Sequence, residues 1–237
     1  MPITLARTLD ECQDFFWAIV KNLGHLSYDE AMTPTATTTR RTREEKVDAR
    51  RDQLAESALV TLGERGYAKT SLREIAQNSP FSHGVVHYYF DNKIELITYC
   101  VRYYKAQCVT RYDELVATST TADELRQRFA DKLVETLTDE PHMHRLWYDL
   151  RTQAMFEESL REAVLEIDHS LEQMIWRVIS RYATLAGTSP LLDSATTYAL
   201  LDGVFEKALL EHLTGTGTAL PSLHHRALTL LPSMSSG

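Results

Sequence analysis

At 237 residues and 43% hydrophobic, the chain is long enough to bury a large core in one or two domains. Its formal net charge of −8 excludes a uniformly basic nucleic-acid coat, and its three cysteines, Cys12, Cys100 and Cys108, form no Cys-x-x-Cys motif and no disulfide framework. No run of eighteen apolar residues and no basic leader followed by an apolar core is present, so a cytoplasmic protein is expected, neither membrane-spanning nor secreted.

Taken in order, residues 10–26 (DECQDFFWAIVKNLGHL) form a candidate amphipathic helix with Phe15, Phe16, Ile19 and Leu23 on or near one side. A polar small-residue linker follows Met32 and runs into Arg40-Arg41. Residues 37–51 then mix six basic residues with three acids. They are either an arm that enters a minor groove or rests on phosphates, or a solvated linker and first helical turn. From residue 45 onward the apolar positions recur at helical spacing nearly everywhere, with no run of strand alternation, which predicts an all-α protein. Residues 45–65 carry Leu54, Ala58 and Leu62 at i, i+4 and i+8, with Gly63 and Gly66 marking the end.

The most informative stretch is residues 70–93, TSLREIAQNSPFSHGVVHYYFDNK. Thr70 or Ser71 caps a short helix with Leu72, Ile75 and Ala76 on one side. Asn78-Ser79-Pro80 ends it, since Pro80 has no backbone donor and pushes Ser79 out of helical geometry. Ser82 caps a second helix that turns Val85, Val86 and Phe90 toward a core. Two short helices joined this way are a helix-turn-helix. Arg40 to Tyr99 carries ten Lys/Arg against nine acids, a net +1 that leaves −9 for the rest of the chain; the positive end is local and suits a head that approaches phosphates. Asp91 is expected to cap a long helix over 93–115, striped by Ile94, Ile97, Val101, Tyr104, Cys108 and Leu115. Later punctuation predicts helices near 121–138, 141–155, 157–186, 190–213 and 220–231, nine in all after the N-terminal extension.

The residues Thr70-Ser71, Ile75-Ala76, Ser79-Pro80-Phe81-Ser82, Gly84, Val86-His87, Tyr89-Phe90 and Lys93 resemble the DNA-binding signature of the TetR/AcrR family of bacterial regulators, and Gly66-Tyr67 resembles its Gly-Tyr/Phe junction. Two positions depart from it. Pro80 stands where the family has a turn glycine, so the turn is expected to use another geometry with Asn78 or Ser79 left-handed. His87 replaces the usual tyrosine, and an imidazole is shorter and can donate or accept. The residues after Met32 resemble the beginning of many family members, which makes Met32 a candidate start. The resemblance implies a helix-turn-helix head over 45–92 and a helical ligand-binding and dimerisation domain over 93–232, with 1–44 as extension and basic linker. The stretches Leu146-Trp147-Tyr148 and 201–205 (LDGVF) are similar to a subgroup with a betaine-regulator-like C-terminal domain.

For DNA, hydroxyls, backbone N–H groups at helix starts and ammonium groups donate to phosphate, whereas side chains of a recognition helix's first turns reach bases. Thr70, Ser71, Tyr89 and Lys93 are the expected phosphate set. Arg73, Ser82, His83, Gly84, Val85, His87 and Tyr88 complete the expected DNA surface. The resemblance places ligand-pocket lining at Tyr104, Cys108, Phe129, Trp147, Arg151 and Met155. It places a homodimer interface on the last two long helices, where Leu192, Ala195, Ala199, Gly203 and Leu210 put small and apolar residues along one helix; an intramolecular core face is the alternative.

His142, His144 and His169 invite a metal, but i, i+2 spacing divides the first two between helix faces and no zinc motif accompanies them. No catalytic triad, phosphate loop or carboxylate pair stands out, so neither an enzyme nor a cofactor is expected. The function implied is a ligand-responsive transcriptional regulator in the bacterial nucleoid, most often a repressor in this family, binding an inverted repeat of double-stranded DNA as a homodimer with an unidentified small-molecule effector. The alternatives are a helical small-molecule binding protein and an architectural DNA-binding protein without effector control.

Overall fold

The computed structural model describes residues 43–236; the expectations for residues 10–26, Met32, Arg40 and Arg41 lie outside that span. The described residues are helical apart from turns and one minimal pair of strands. The elements are α1 (Arg43–Arg65), α2 (Leu72–Gln77), α3 (His83–Tyr89), α4 (Lys93–Cys108), α5 (Asp113–Thr118), α6 (Ala122–Asp139), α7 (Pro141–Ala154), α8 (Glu158–Ala186), β1 (Ser189–Pro190), α9 (Ser194–Leu213), α10 (Ala219–Ser233) and β2 (Ser235–Ser236).

Among the described residues ten helices replace the nine expected, because the helix expected over 93–115 breaks after Cys108. Val109 and Thr110 are β-branched and weak helix formers, and the chain turns there with Arg111 N–H on Cys108 O at 3.1 Å and Asp113 N–H on Thr110 O at 3.0 Å. The turn delivers Tyr112 into the core, edge-on to Phe129 at 5.1 Å, and brings Arg111 to Glu140. Three other boundaries move for local reasons. Asn92 rather than Asp91 caps α4, accepting from Glu95 N–H at 2.9 Å. α9 begins after Asp193, whose carboxylate accepts from Thr196 N–H at 2.7 Å. Ser189 and Pro190 instead pair antiparallel with Ser236 and Ser235, fastening the end of the chain beside the α8–α9 connection.

α8 is the spine of the body. Its buried residues Leu160, Ala163, Ile167, Leu171, Met174, Ile175, Val178, Ile179, Tyr182 and Ala183 recur at three and four, the spacing that keeps one stripe against neighbouring helices. Gly187 ends it in the left-handed region at φ +68°. α6 and α10 pack together, α9 lies between α8 and α10, and α7 lies across α1 on one side and α8 on the other.

α1 is held to α4 by contacts at helical spacing, beside the Arg51–Glu95 pair. Tyr99 and Tyr103 donate to Asp52 and Glu56, each at 2.6 Å, and the Cys100 thiol donates to Ala55 O at 3.6 Å. α7 grips the end of α1. Arg145 donates to the carbonyls of Gly63 and Glu64, placing a cation where helix carbonyls lack partners, and Asp149 Oδ2 accepts from Tyr67 N–H at 2.6 Å. Gly66, at φ +78°, makes room for this, since a Cβ there would lie 3.0 Å from Asp149 Oδ2.

His144 of α7 is buried, with Nε2 3.1 Å from Thr136 O and its ring edge-on to Phe205 at 4.9 Å. Burial, then Lys105 and Arg111, pushes its pKa down to about 3. The imidazole is therefore neutral in the folded protein and protonates mainly on unfolding. Between about pH 6.5 and 3 this group makes stability fall with falling pH, by up to about 1.4 kcal/mol per pH unit. In His144→Leu, urea denaturation between pH 7 and pH 4 should show a shallower loss of stability than wild type; equal slopes would contradict the assignment.

Candidate nucleic-acid interface

The head is built by two capped helices that turn the same residues inward as the spacing predicts. Ser71 caps α2 in a capping box: its hydroxyl accepts from Glu74 N–H at 3.3 Å while Glu74 Oε2 accepts from Ser71 N–H at 2.8 Å. Leu72, Ile75 and Ala76 are buried. Ser82 caps α3 by accepting from Val85 N–H at 3.3 Å. Val86 and Phe90 are buried and Val85 is half-buried, so α3 is anchored by one face and by the residue after its end.

The connection between them solves the Pro80 problem without a left-handed residue, contrary to the expectation. Asn78 closes α2 at φ −97°, ψ 15°, and every positive φ among the described residues belongs to a glycine. Ser79 does the turning: its hydroxyl donates to Ala76 O at 3.3 Å and accepts from Phe81 N–H at 3.2 Å. A side-chain turn of this kind replaces the geometry that a glycine would supply.

The outward face of α3 carries His83, Gly84, His87 and Tyr88. Tyr88 is 74% exposed, an unusual state for an aromatic ring without a ligand or partner. The His83 and His87 rings meet edge-on at 4.4 Å, and Tyr88 and Tyr89 do so at 4.9 Å. A Cβ on Gly84 would meet nothing within 4 Å, so another surface can approach the helix backbone there. Arg73 is exposed on α2 and lines an open cleft with Gln77, Phe81, Ser82 and His83.

Part of the expected phosphate set has internal work instead. Thr70 is buried and donates to Gly66 O at 2.8 Å, which corrects its expected role as a surface donor; it closes the turn after α1. Lys93 donates to Tyr67 O with its ammonium 3.9 Å from the centre of the Tyr67 ring. Burial lowers its pKa against the opposing pull of Asp149 and Glu74. Ser71 is exposed but committed to Glu74. Arg50 and Arg51, in the segment expected to be either an arm or a linker and first helical turn, lie within α1 and stack on Phe81 at 4.5 Å and on Phe90 and Tyr99 at 4.7 Å.

Residues 54–100 match the family model described as "Bacterial regulatory proteins, tetR family". That segment is similar to the head of TetR-family regulators. The fold of the described residues is similar to solved structures of that family. A TetR transcription regulator from Haloarcula marismortui matches with a TM-score of 0.65 at 19% identity, covering 80% of this chain and 100% of that one. The FadR regulator of Bacillus subtilis, solved with stearoyl-CoA, gives 0.62 at 19%, covering 76% and 96%. A regulator from Saccharomonospora viridis, solved with choline, gives 0.62 at 21%, covering 80% and 99%. At these identities the likeness is one of fold. No curated protein matches the sequence significantly.

Behind this head, the expected pocket residues divide. Tyr104, Cys108 and Trp147 stand together around α4 and α7: Tyr104 donates to Glu140 Oε2 at 2.8 Å, and Arg111 lies against both Glu140 and the Cys108 sulfur. Burial, then Cys108 and Glu140, raises the Tyr104 pKa, so the phenol remains a donor. Arg151 pairs with Asp202, which also accepts from Tyr148 at 2.9 Å. Phe129 is wholly buried against Tyr112. Met155 does not join them; it follows the end of α7 and is 73% exposed.

The sequence reading missed Lys105, which sits four residues after Val101 on the apolar stripe of α4 and is only 5% exposed. A lysine inside an apolar stripe was the signal. Its Nζ lies 4.8 Å from the Trp147 ring and 5.7 Å from Tyr104, and no carboxylate among the described residues is within ion-pair distance of it. Burial lowers its pKa. Two ring faces supply up to roughly 2 kcal/mol each, against a desolvation cost of several kcal/mol for a buried ion. The three histidines do not converge: His144 is bonded to Thr136 O and His169 lies beside Glu172.

Arg73→Ala should leave thermal stability nearly unchanged, within about 0.5 kcal/mol, and weaken binding to all duplexes with a shallower salt slope. Lys93→Ala should lower stability as well, because it frees the Tyr67 carbonyl. Thermal melts beside binding titrations at two salt concentrations check this, and equal stability of the two variants would contradict the internal role of Lys93.

Proposed function

We propose that the protein is a ligand-responsive transcriptional repressor that binds an inverted-repeat operator as a homodimer. The observation that carries the DNA reading is the outward face of α3, where His83, His87 and Tyr88 stand exposed on a helix anchored by Val86 and Phe90. Side chains at the start of such a helix meet base edges, while Arg73, Tyr89 and the remaining protons of Lys93 serve phosphates.

Support for a dimer comes from α9. Ala195, Ala199, Gly203 and Leu210 are exposed, with Leu210 at 64% and Leu200 and Leu213 beside it also open. A Cβ on Gly203 would meet nothing within 4 Å. Leu192 is half-buried against the protein's own core, so it contributes at the edge. Small residues along an open helix face allow a second copy to approach closely, and a two-fold axis would set the recognition helices about one DNA turn, roughly 34 Å, apart. Support for a ligand comes from the buried polar cluster of α4 and α7, and from two proteins of similar fold that were solved with stearoyl-CoA and choline.

Gel shifts with the DNA upstream of the protein's own gene should give a discrete complex that His83→Ala weakens more on that DNA than on scrambled sequence. Equal losses on both would remove His83 from base reading, and absence of any complex would favour a helical binding protein without DNA. Sedimentation should show a dimer in the wild type and a monomer in Gly203→Glu, with DNA affinity reduced at least about tenfold through the lost second half-site. A monomeric wild type would refute the α9 interface.

A further inference from the structure

On the inner face of the body the carboxylates are engaged by arginine and tyrosine side chains, and Lys105 has none of them within ion-pair distance among the described residues. Lys105, Arg111 and Arg151 meet there. Glu140 is taken by Arg111 and Tyr104, and Asp202 by Arg151 and Tyr148. Asp168, half-exposed at the edge, lies 3.5 Å from Arg151 and accepts from Tyr198. Lys105 is left with ring faces alone. The indole against which it lies is also incomplete, for Trp147 Nε1 is buried and has no hydrogen-bond partner among the described residues. Of the other titratable groups on this side, His144 is committed to Thr136 O and the Cys108 sulfur lies against Arg111.

A buried indole N–H with no acceptor among the described residues, beside a lysine that is 5% exposed and has no carboxylate within ion-pair distance among them, defines what would complete the pair. It must be an acceptor, and to offset Lys105 it must be negatively charged. A buried water would satisfy Nε1 and leave the charge unanswered. The surroundings set the rest of the molecule: Tyr104 and Trp147 present aromatic rings to Lys105, and aromatic or aliphatic carbon packs against such rings. The ammonium lies 4.8 Å from the centre of the Trp147 ring, and a carboxylate has two oxygens with which to answer a charge and a nearby N–H.

We infer that the effector is an organic carboxylate with an apolar tail, received by Lys105 Nζ and Trp147 Nε1 between α4 and α7. This rests on reading the body as an effector-binding domain. A cation such as choline meets aromatic faces here but would also stand beside Lys105, whose charge has no ion pair among the described residues, which disfavours it.

The test uses the full-length protein and five probes: phenylacetate and octanoate, their neutral counterparts 2-phenylethanol and octanol, and choline. Thermal shift and isothermal titration are read on wild type, Lys105→Met and Trp147→Phe. The methionine keeps the length of the side chain and removes a buried, partnerless charge, so the unliganded variant should melt at the wild-type temperature or above it. Phenylacetate or octanoate should stabilise wild type, bind Lys105→Met about tenfold more weakly or less tightly still, and bind Trp147→Phe several-fold more weakly. Equal affinity of a carboxylate for wild type and Lys105→Met overturns the assignment. Binding of the alcohols or choline alone overturns the charge of the effector and leaves effector control standing. No binding by any of the five overturns the proposal together with the effector reading beneath it.

Discussion

The contact on which the arrangement of head and body depends is the one between the end of α1 and α7. Helix α1 finishes with carbonyls that have no intrahelical partner, and the chain must then reverse into α2. Arg145 accepts the electrostatic part of that problem by donating to Gly63 and Glu64, and Asp149 takes the Tyr67 N–H. The carboxylate fits only because Gly66 has no Cβ and stands at φ +78°. Lys93 then closes the same turn from the other side through the Tyr67 carbonyl and ring. Both polar groups of one peptide region are thus held by side chains from α4 and α7, which ties the position of the head to two helices of the body.

That arrangement uses cations which a charge count would assign to DNA. Arg50, Arg51 and Lys93 all rest on aromatic rings of the head, and Arg51 also pairs with Glu95 at 2.8 Å. Among the residues singled out for contact, Arg73 is the cation left without an internal partner in the described structure. The surface offered by α3 is consequently dominated by imidazoles, a phenol and an open glycine backbone. Hydrogen bonding and close approach, more than bulk positive potential, distinguish this face from the rest of a chain with net charge −8.

Local rules located most of this. Caps at Ser71, Ser82 and Thr121, the proline opening α7 and the glycine ending α8 all act where their chemistry predicts. The inward set of the head, Leu72, Ile75, Ala76, Val86 and Phe90, follows from spacing. What spacing could not supply is competition between neighbours distant in sequence. The stripe of α4 continues on paper to Leu115, yet the demand for Tyr112 against Phe129 and Arg111 against Glu140 turns the chain at Val109 and Thr110. Thr70 looks like a surface cap until Gly66 O is seen within 2.8 Å of its hydroxyl. Lys105 was legible as a charge in an apolar stripe, but its lack of a counter-ion depends on which cations reach Glu140 and Asp202 first.

These two kinds of contact meet on one element. α7 is fourteen residues long, about 21 Å at helical rise, and it presents Arg145 and Asp149 to the head while Trp147 and Arg151, two residues on from each, face the body. Alternation of this kind leaves little freedom for one side to adjust alone, because a close-packed helix moves as a body. Any molecule that enters beside Trp147 and displaces α7 must also move the two groups that hold the Tyr67 turn. The coupling is bounded by the difference in that molecule's affinity for the two positions of α7, whatever its total affinity. A tenfold preference is worth about 1.4 kcal/mol, comparable to one or two of the hydrogen bonds at the turn. Moderate discrimination at the body is therefore enough to shift the turn, provided the path between them is a single helix gripped at both faces.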